Sequence, residues 1–452
     1  MEQNKKGSNN LLAFSVLTSL FFMWGFFTVL NDILIPHLQS VFKLTIFMSM
    51  LVQFAFFGAY FIGSLIYFLI SASIGDPINK IGYKNGILIG LALSALGSLL
   101  FFPATYIHLY WFYLLALFIV GLGFTLLQIA ANPYVAILGS EESASSRLNL
   151  VQGFNSLGTT IGPVIGGYLI FHYFAGVDAV KIPYLIYAGI FLFLAMAIFA
   201  IKLPRVTSSD EIVEGFGALK HRNLVLGAIG IFMYVGAEVS IGSILIRYLG
   251  LENIAGLEEK DASLYLSFYW GGLMIGRFLG SISLSTMTNK LYKNLLMIAV
   301  PFAAFLVIWY LKGLTIASIF SIFLVLNLVS FYFGKSKSSR TLMVFSLVII
   351  TLLIITLSSN GVVAMWSVIG IGLFNSIMFS NIFTLAIAGL GKYTSQGSSI
   401  LVMAILGGAI VPPLQGYVAD MLGVHLSFLV PIICYSYLAF YGWKGYQKSK
   451  IN

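Results

Sequence analysis

The chain of 452 residues is 59% hydrophobic and only 9% charged, so its polar side chains are too few to cover a water-soluble globule. Its formal net charge of +9 does not require a nucleic-acid partner, because Lys and Arg spread over the cytoplasmic loops of a membrane protein account for it. The single cysteine, Cys434, excludes an intramolecular disulfide and a cysteine-based metal site.

Apolar segments of about 20 residues, long enough to cross a bilayer as helices, recur along the whole chain. Six spans are predicted in the first half, near residues 11–35, 46–72, 84–104, 110–138, 150–173 and 182–203. After a polar stretch, eight more are predicted, near residues 224–249, 263–285, 293–311, 314–334, 341–358, 361–390, 395–418 and 425–443. The sequence therefore predicts an all-α integral membrane protein with about 14 transmembrane helices.

The distribution of basic residues predicts the orientation of these spans. With a cytoplasmic N-terminus, eighteen of the 24 Lys and Arg residues fall in inside segments and four fall in outside segments. Short cytoplasmic loops of membrane proteins carry such an excess of Lys and Arg. We therefore expect a multi-pass membrane protein with both termini in the cytoplasm.

An internal repeat predicts two homologous halves. Four residues recur 249 positions further on, namely Gly158, Pro163, Gly167 and Tyr168 as Gly407, Pro412, Gly416 and Tyr417. Gly121, Gly123 and Asn132 recur at the same offset, whereas Gly58, Ile62 and Gly63 recur 213 positions on. The second offset is shorter than the first, so the second half contains extra residues between these matched positions. They are enough for two short membrane crossings. We expect an N-terminal six-helix bundle (1–203), a cytoplasmic linker (204–223), and a C-terminal bundle (224–452) with an inserted helical pair near 293–334.

Two carboxylates, Asp32 and Glu238, stand apart because each lies in the first predicted span of its half. A charged side chain at the bilayer centre costs at least about 2.5 to 3.5 kcal/mol, so such residues usually mark an ion or substrate path. Asp32 has an interfacial alternative, since Pro36 and His37 follow closely. For Glu238 the alternative is a structural ion pair with Arg277.

Neutral amides form a second set of candidates. Uncharged donors and acceptors on several helices, with aromatic side chains nearby, suit a polyhydroxylated ligand. For any single amide, a hydrogen bond between helices is the simpler interpretation. The predicted substrate-binding residues are Asn31, Gln128, Asn132, Gln152, Asn155, Asn375 and Asn381.

Enzyme chemistry finds no support in the sequence. The five histidines lack metal-ligand spacing, no phosphate-binding glycine loop is present, and no soluble segment is long enough for a nucleotide-binding domain. We therefore expect neither a cofactor nor a bound metal. An ion gradient is the remaining source of energy for uphill transport.

Long motifs in both halves resemble the fucose:proton symporter family of the major facilitator superfamily. They include LNDILIP, LLQIAANPYVAILG, RLNLVQGFNSLGTTIGPVIGGYL and YVGAEVSIGSILI. The glutamate of YVGAEVS and the glutamine of LLQIAANPYV look more like the bacterial glucose/galactose transporters. The resemblance implies a twelve-helix core of two bundles, with the extra pair outside that plan.

The resemblance also implies alternating access and sugar uptake across the cell inner (plasma) membrane, coupled to a cation. Asp32 matches the family's membrane aspartate, which is assigned to proton coupling and sugar binding, and Gln128 replaces the family's second acid. Because glutamine cannot titrate, Asp32 acts alone, Glu238 takes the second role, or the cation is Na⁺. In the cytoplasmic loop motif GDPINKIGYKNG, Asn79 stands where an acid is usual.

The predicted function is secondary active transport of a hexose such as glucose or galactose, with a proton, by a monomer. Its expected partners are a small-molecule sugar, a proton or Na⁺, and membrane lipid, without nucleic acid. The alternatives are an L-fucose or amino-sugar symporter, a Na⁺-coupled symporter, a non-transporting membrane sugar sensor, and an enzyme acting on lipid-linked sugars.

Overall fold

The computed structural model describes residues 2–30, 34, 37–38, 41–44, 46–168, 180–201, 216–257 and 259–447. Within these ranges every regular element is a helix and no strand occurs. Two of the predicted site residues, Asn31 and Asp32, lie outside the described residues. The predicted linker is described from residue 216 onward.

The first eight helices are α1 (Glu2–Thr28), α2 (Ile46–Ile74), α3 (Pro77–Ile81), α4 (Tyr83–Leu99), α5 (Phe101–Ile107), α6 (Tyr110–Ile137), α7 (Ala144–Tyr168) and α8 (Lys181–Ala200). The next five are α9 (Arg222–Leu249), α10 (Glu259–Ser283), α11 (Lys290–Lys312), α12 (Leu314–Gly334) and α13 (Ser338–Ser358). The last five are α14 (Gly361–Asn375), α15 (Met378–Ile387), α16 (Thr394–Met403), α17 (Gly407–Leu422) and α18 (Leu429–Phe440).

Eleven helical segments of the described chain are long and apolar enough to cross a membrane, and Phe14–Thr28 is a shorter apolar helix. The predicted all-helical membrane fold is confirmed, whereas the count of fourteen spans is not. Helices α7 and α10 contain 25 residues each but are not among the eleven. Both carry many polar side chains, which lower their mean hydropathy.

The chain divides into two compact units. The first unit contains residues 1–138, 157–221 and 389–406, and the second contains residues 139–156, 222–388 and 407–452. The first half of α7 therefore belongs to the second unit, and α16 belongs to the first. As a result, Gln152 and Asn155 are in the same unit as Glu238.

In the first unit, α6 is the central helix. It packs against α2 and α4, and α4 also packs against α8. The second half of α7 contacts α1 at Gly158, where a Cβ atom would lie 2.7 Å from the backbone nitrogen of Phe26. This approach requires glycine because the neighbouring atoms belong to the backbone.

The second unit repeats parts of this arrangement. Helix α13 packs against α14 and α18, as α4 packs against α6 and α8 in the first unit. Gly407 of α17 meets the backbone of Phe232 on α9, as Gly158 meets the backbone of α1. The spacing of 249 residues between the two glycines thus coincides with similar packing.

Helices α11 and α12 lie beside this repeated arrangement. They pack against each other, while α11 contacts α10 and α12 contacts α13. Within the apolar window of α11 only 6% of the residues are buried, compared with 39% for α12. They cover the region near residues 293–334 in which the sequence predicts an inserted pair, and their being an insertion stays a prediction.

Candidate functional site

The polar group in the first unit is built on α6. Asn132 is fully buried, and its Nδ2 donates a hydrogen bond of 2.5 Å to Oε1 of Gln128, one helical turn earlier. The hydroxyl of Tyr60 on α2 interacts with the side chains of Gln128 and Trp24. Gln128 is half-buried, so it still presents surface while its neighbours hold its orientation.

Pro133 follows Asn132 inside α6 and shapes the helix at this point. A proline within a helix has no N–H to donate to the carbonyl four residues earlier, here that of Ile129. Such a freed carbonyl and the associated bend are common where a membrane helix lines a polar region. The sequence QIAANPY therefore places two amides beside a carbonyl, that of Ile129, which lacks the usual helical donor.

The polar group in the second unit centres on Glu238 of α9. Its carboxylate accepts a hydrogen bond from the hydroxyl of Tyr234, one helical turn earlier. Glu238 is half-buried, whereas Tyr234 is almost completely buried. Glu238 is therefore oriented from its own helix and keeps part of its surface open.

A chain of hydrogen bonds surrounds Glu238. Tyr435 Oη of α18 donates to Asn375 Oδ1 at 2.6 Å, and Asn375 Nδ2 donates to Tyr269 Oη at 2.7 Å. Tyr269 Oη in turn donates to the backbone carbonyl of Glu238 at 3.2 Å. Because Asn375 is fully buried and bonded through both ends of its amide, it links three helices to the backbone that carries Glu238.

Arg277 of α10 lies in the same group and is only 8% exposed. Its Nε donates to the carbonyl of Ser376 at 3.1 Å, and its Nη1 donates to the carbonyl of Gln152 at 3.3 Å and to the hydroxyl of Ser156. The alternative of a direct Glu238–Arg277 ion pair is not realised among these contacts. The charges of Arg277 and Glu238 are nevertheless close enough to interact electrostatically.

Glycines spaced four residues apart let α10 approach its neighbours closely. A Cβ atom on Gly272 would lie 2.9 Å from the backbone nitrogen of Leu373, and one on Gly276 would lie 2.5 Å from the carbonyl oxygen of Leu373. Small residues at such spacing are a common basis of helix contact in membranes. This close contact brings Arg277 within reach of the end of α14.

The remaining predicted residues occupy different positions. Gln152 is 7% exposed and Asn155 is half-buried, and both lie on the part of α7 that belongs to the second unit. Asn381 is fully buried, and its Nδ2 donates to the carbonyl of Ser338 at 3.2 Å. Asn381 is thus engaged with the first turn of α13 and not with the hydrogen bonds around Glu238.

Several residues of these networks were not predicted as site residues. Tyr234 and Tyr269 are noticeable in the sequence only as aromatic side chains, and Arg277 only as a possible ion-pair partner. The spacing of Gly272, Gly276 and Gly280 is the signal that indicates a close helix contact beside Arg277. Nothing in the local sequence of Ser156 points to its contact with Arg277.

A multi-span helical protein with half-buried polar groups and a carboxylate inside its spans belongs to the class of membrane transport proteins. Residues 12–334 match the family model described as Major Facilitator Superfamily. The chain belongs to this superfamily.

Individual relatives extend the match to almost the whole chain. A glucose/galactose transporter of Brucella abortus biovar 1 (strain 9-941) is 48% identical over 444 residues, which are 96% of this chain and 94% of the relative. An L-fucose-proton symporter of Escherichia coli (strain K12) is 32% identical over 94% of this chain and 91% of its own length.

The fold is also similar to a solved structure. The crystal structure of the major facilitator superfamily transporter FucP in the outward conformation matches with a TM-score of 0.78 and 30% identity, over 97% of this chain and 100% of that chain. The resemblance to the fucose:proton symporters and the glucose/galactose transporters is therefore confirmed. These relatives are transporters and not enzymes.

Proposed function

We propose that this protein is a secondary active sugar transporter that carries a hexose, glucose or galactose, into the cytoplasm together with a proton by alternating access. The observation that carries the proposal is the half-buried carboxylate of Glu238, held by Tyr234 inside the span α9. Relatives named for glucose/galactose transport and for L-fucose-proton symport support both the substrate class and the coupling ion.

Proton coupling is assigned to Asp32 and Glu238. Both are carboxylates in the first span of their half of the sequence, and each can bind and release a proton. Gln128 cannot titrate, so within α6 it serves sugar binding only. Glu238 has a hydroxyl partner that can donate to the ionised carboxylate, which suits a group that alternates between two protonation states.

Sugar binding is assigned to amide side chains that keep exposed surface and to amides that lie beside them in the sequence. Gln128 and Asn155 are half-buried and offer both donors and acceptors to sugar hydroxyls. Asn31 and Gln152 complete the proposed contact set. Asn132 and Asn375 are fully buried and hold Gln128 and Tyr269 in place, and Asn381 supports the end of α13.

The wider architecture is part of the same proposal. Fourteen spans would result if α1, α7 and α10 cross the membrane together with the eleven apolar segments. The proposed bundles are residues 1–203 and 224–452, joined by the linker 204–223, with α11 and α12 as the inserted pair. Cytoplasmic termini are supported by the excess of Lys and Arg in the proposed inside loops. The cell inner membrane is supported by the bacterial sugar transporters among the relatives.

The test is uptake of labelled glucose, galactose, L-fucose and an amino sugar into proteoliposomes under separate proton and sodium gradients. We expect accumulation of glucose or galactose that depends on the proton gradient alone. Accumulation driven only by sodium would show that Na⁺ and not the proton is the coupling ion. Accumulation of only L-fucose or the amino sugar would show that the substrate is not glucose or galactose. Saturable binding without counterflow would indicate a sugar sensor and refute transport.

A further inference from the structure

Arg277 stands out because, among the described residues, its buried cation is bonded to neutral acceptors. Its Nε bonds the Ser376 carbonyl, and its Nη1 bonds the Gln152 carbonyl and the Ser156 hydroxyl. No described residue accepts a hydrogen bond from its Nη2. A buried cation without a carboxylate partner is costly, so Arg277 retains a strong tendency to pair with an anion.

The hydrogen bond from Nε of Arg277 and those from its Nη1 have different consequences. Ser376 follows the last residue of α14, where carbonyl groups lack helical partners and a cation is favoured by the helix dipole. That bond to Nε holds the base of the guanidinium group. The Nη1 atom, by contrast, reaches the first half of α7, so its position depends on where α7 lies.

Among the described residues, Glu238 is a carboxylate that interacts electrostatically with Arg277. The titratable groups facing Glu238 are Tyr234 on its own helix, Tyr269 and Arg277 on α10, and Tyr435 on α18. Helices α14 and α15, which also pack against α9, contain no ionisable residue. Helix α17 contributes only Tyr417 and Asp420, which are exposed. Among the described residues, Arg277 is the cation with an electrostatic interaction with Glu238.

We propose that Arg277 is a positioning residue that exchanges its acceptors on α7, the Gln152 carbonyl and the Ser156 hydroxyl, for the Glu238 carboxylate when Glu238 loses its proton. This inference rests on the proposed function, in which Glu238 carries a proton. While Glu238 is protonated, Arg277 remains on α7. Once Glu238 is ionised, the carboxylate attracts the guanidinium group, and Nη1 leaves its acceptors on α7.

The exchange links proton binding to the position of α7. If a proton on Glu238 favours the contact between Arg277 and α7, that contact must by reciprocity favour the proton on Glu238. Separation of α7 from Arg277 therefore promotes release of the proton. Arg277 thus connects a movement of α7 with the protonation state of the proposed coupling residue.

The experiment measures labelled glucose counterflow in proteoliposomes across a wide pH range, for the wild-type protein and four variants. Arg277→Gln removes the cation, so we expect the midpoint of the pH profile to move up by about one unit. Ser156→Ala removes one neutral acceptor and frees Arg277 for Glu238, so the midpoint moves down. Arg277→Lys keeps the charge and stays near the wild-type midpoint. Arg247→Gln, a cation elsewhere on α9, is the matched control and leaves the profile unchanged.

The opposite directions of the first two shifts distinguish exchange from a purely structural role, which would lower the rate without moving the midpoint. Both shifts must disappear when Glu238→Gln is added. An unchanged midpoint in Ser156→Ala or in a folded Arg277→Gln, or shifts that persist with Glu238→Gln, would overturn the exchange. If Arg277→Gln does not fold, Ser156→Ala and Arg277→Lys still decide the question. A wild-type protein without pH-dependent counterflow would instead overturn the proposed function itself.

Discussion

At the scale of single residues, the polar side chains inside the spans differ in how much surface they keep. Glu238, Gln128 and Asn155 are half-buried, whereas Asn132 and Asn375 are fully buried and bonded to their neighbours. A half-buried group can exchange a proton or meet a solute. A fully buried amide can only fix the groups around it, because its desolvated polar atoms must remain paired.

The first prediction concerns Glu238. We expect Glu238→Gln to abolish accumulation of sugar against its gradient while sparing sugar counterflow. The amide still accepts the Tyr234 hydrogen bond but cannot carry a proton. The measurement is proton-driven uptake beside counterflow in the same proteoliposomes. Accumulation at the wild-type level would remove Glu238 from the coupling machinery, and Asp32→Asn provides the parallel test in the first half of the chain.

Asp76 is a residue whose environment differs from that expected of a loop acid. It is 4% exposed, and its Oδ1 accepts hydrogen bonds from the Ile78 nitrogen at 3.0 Å and from Tyr67 Oη at 2.5 Å. Its Oδ2 is buried without a hydrogen bond to any described residue. Burial raises the pKa of the Asp76 carboxyl above its usual value, despite these hydrogen bonds. Asp76 caps α3 in the loop where Asn79 replaces the usual acid.

The second prediction follows from this raised pKa. Between the unfolded value of about 3.9 and the higher folded value, the folded state binds more protons, so its stability falls as pH rises. Asp76→Asn keeps an acceptor for Ile78 and Tyr67 but removes the charge. We expect the stability of this variant to lose the fall with rising pH that Asp76 causes. At neutral pH we expect it to unfold at the same temperature as the wild type or at a higher one. Thermal unfolding in detergent at a series of pH values measures both effects.

Asp76→Ala is the control for this comparison, because it removes the helix cap as well as the charge. It should unfold at a lower temperature than the wild type at acidic pH. A neutral-pH loss of stability in Asp76→Asn as large as in Asp76→Ala would show that the charge is required.

At the scale of elements, helix α10 is the one on which the second polar group depends. One side of it approaches α14 through Gly272 and Gly276, and Tyr269 and Arg277 extend from it to Asn375 and Ser376. The glycines and the polar contacts are therefore parts of one helix interface. A change in the distance between α10 and α14 must therefore change the hydrogen bonds of Tyr269 and Arg277.

The third prediction tests this interface. Gly276→Ala would place a Cβ atom 2.5 Å from the Leu373 carbonyl oxygen, so the helices must move apart. Overpacking of this kind typically costs about 1 to 3 kcal/mol. We expect a lower unfolding temperature and reduced counterflow. Gly271→Ala on the same helix meets nothing within 4 Å and serves as the control. Equal stability of the two variants would contradict the close contact.

At the scale of the whole molecule, the number of membrane crossings made by α11 and α12 affects the orientation of the later helices. Both are among the segments long and apolar enough to cross a membrane. An even number of inserted crossings leaves the orientation of every later helix unchanged. This agrees with the basic residues at Lys335, Lys337 and Arg340, which belong on the cytoplasmic side under the proposed orientation.

The fourth prediction tests the pair and the orientation together. Cys434 is the only native cysteine, so Cys434→Ser provides a background for single introduced cysteines. A membrane-impermeant maleimide should label Glu252→Cys and Lys312→Cys in intact cells, and Lys290→Cys and Lys335→Cys only after lysis. These positions are exposed or lie at helix ends. Labelling of Lys312→Cys and Lys290→Cys from the same side would contradict a spanning pair.

Much of the helical architecture was predictable because it depends on local properties. The length and hydropathy of each apolar segment determine whether it can cross a membrane, and α11 and α12 are two such segments in the region near 293–334. Longer spans were harder to delimit. The span predicted at 361–390 is two helices, α14 and α15, and the break exposes the Ser376 carbonyl to Arg277. Such a break depends on tertiary partners that satisfy its backbone groups.

By itself, the sequence determined the membrane class, the helical composition and the superfamily, because hydropathy and motifs are visible along the chain. It also singled out Glu238 as a carboxylate inside a span. Only the tertiary structure decided which amides are fully buried, and that Arg277 bonds to α7 and the end of α14. Those contacts join Arg277 to residues more than ninety positions away. They arise because glycines allow helices to approach closely, and because a buried polar group must take a partner wherever the fold places one.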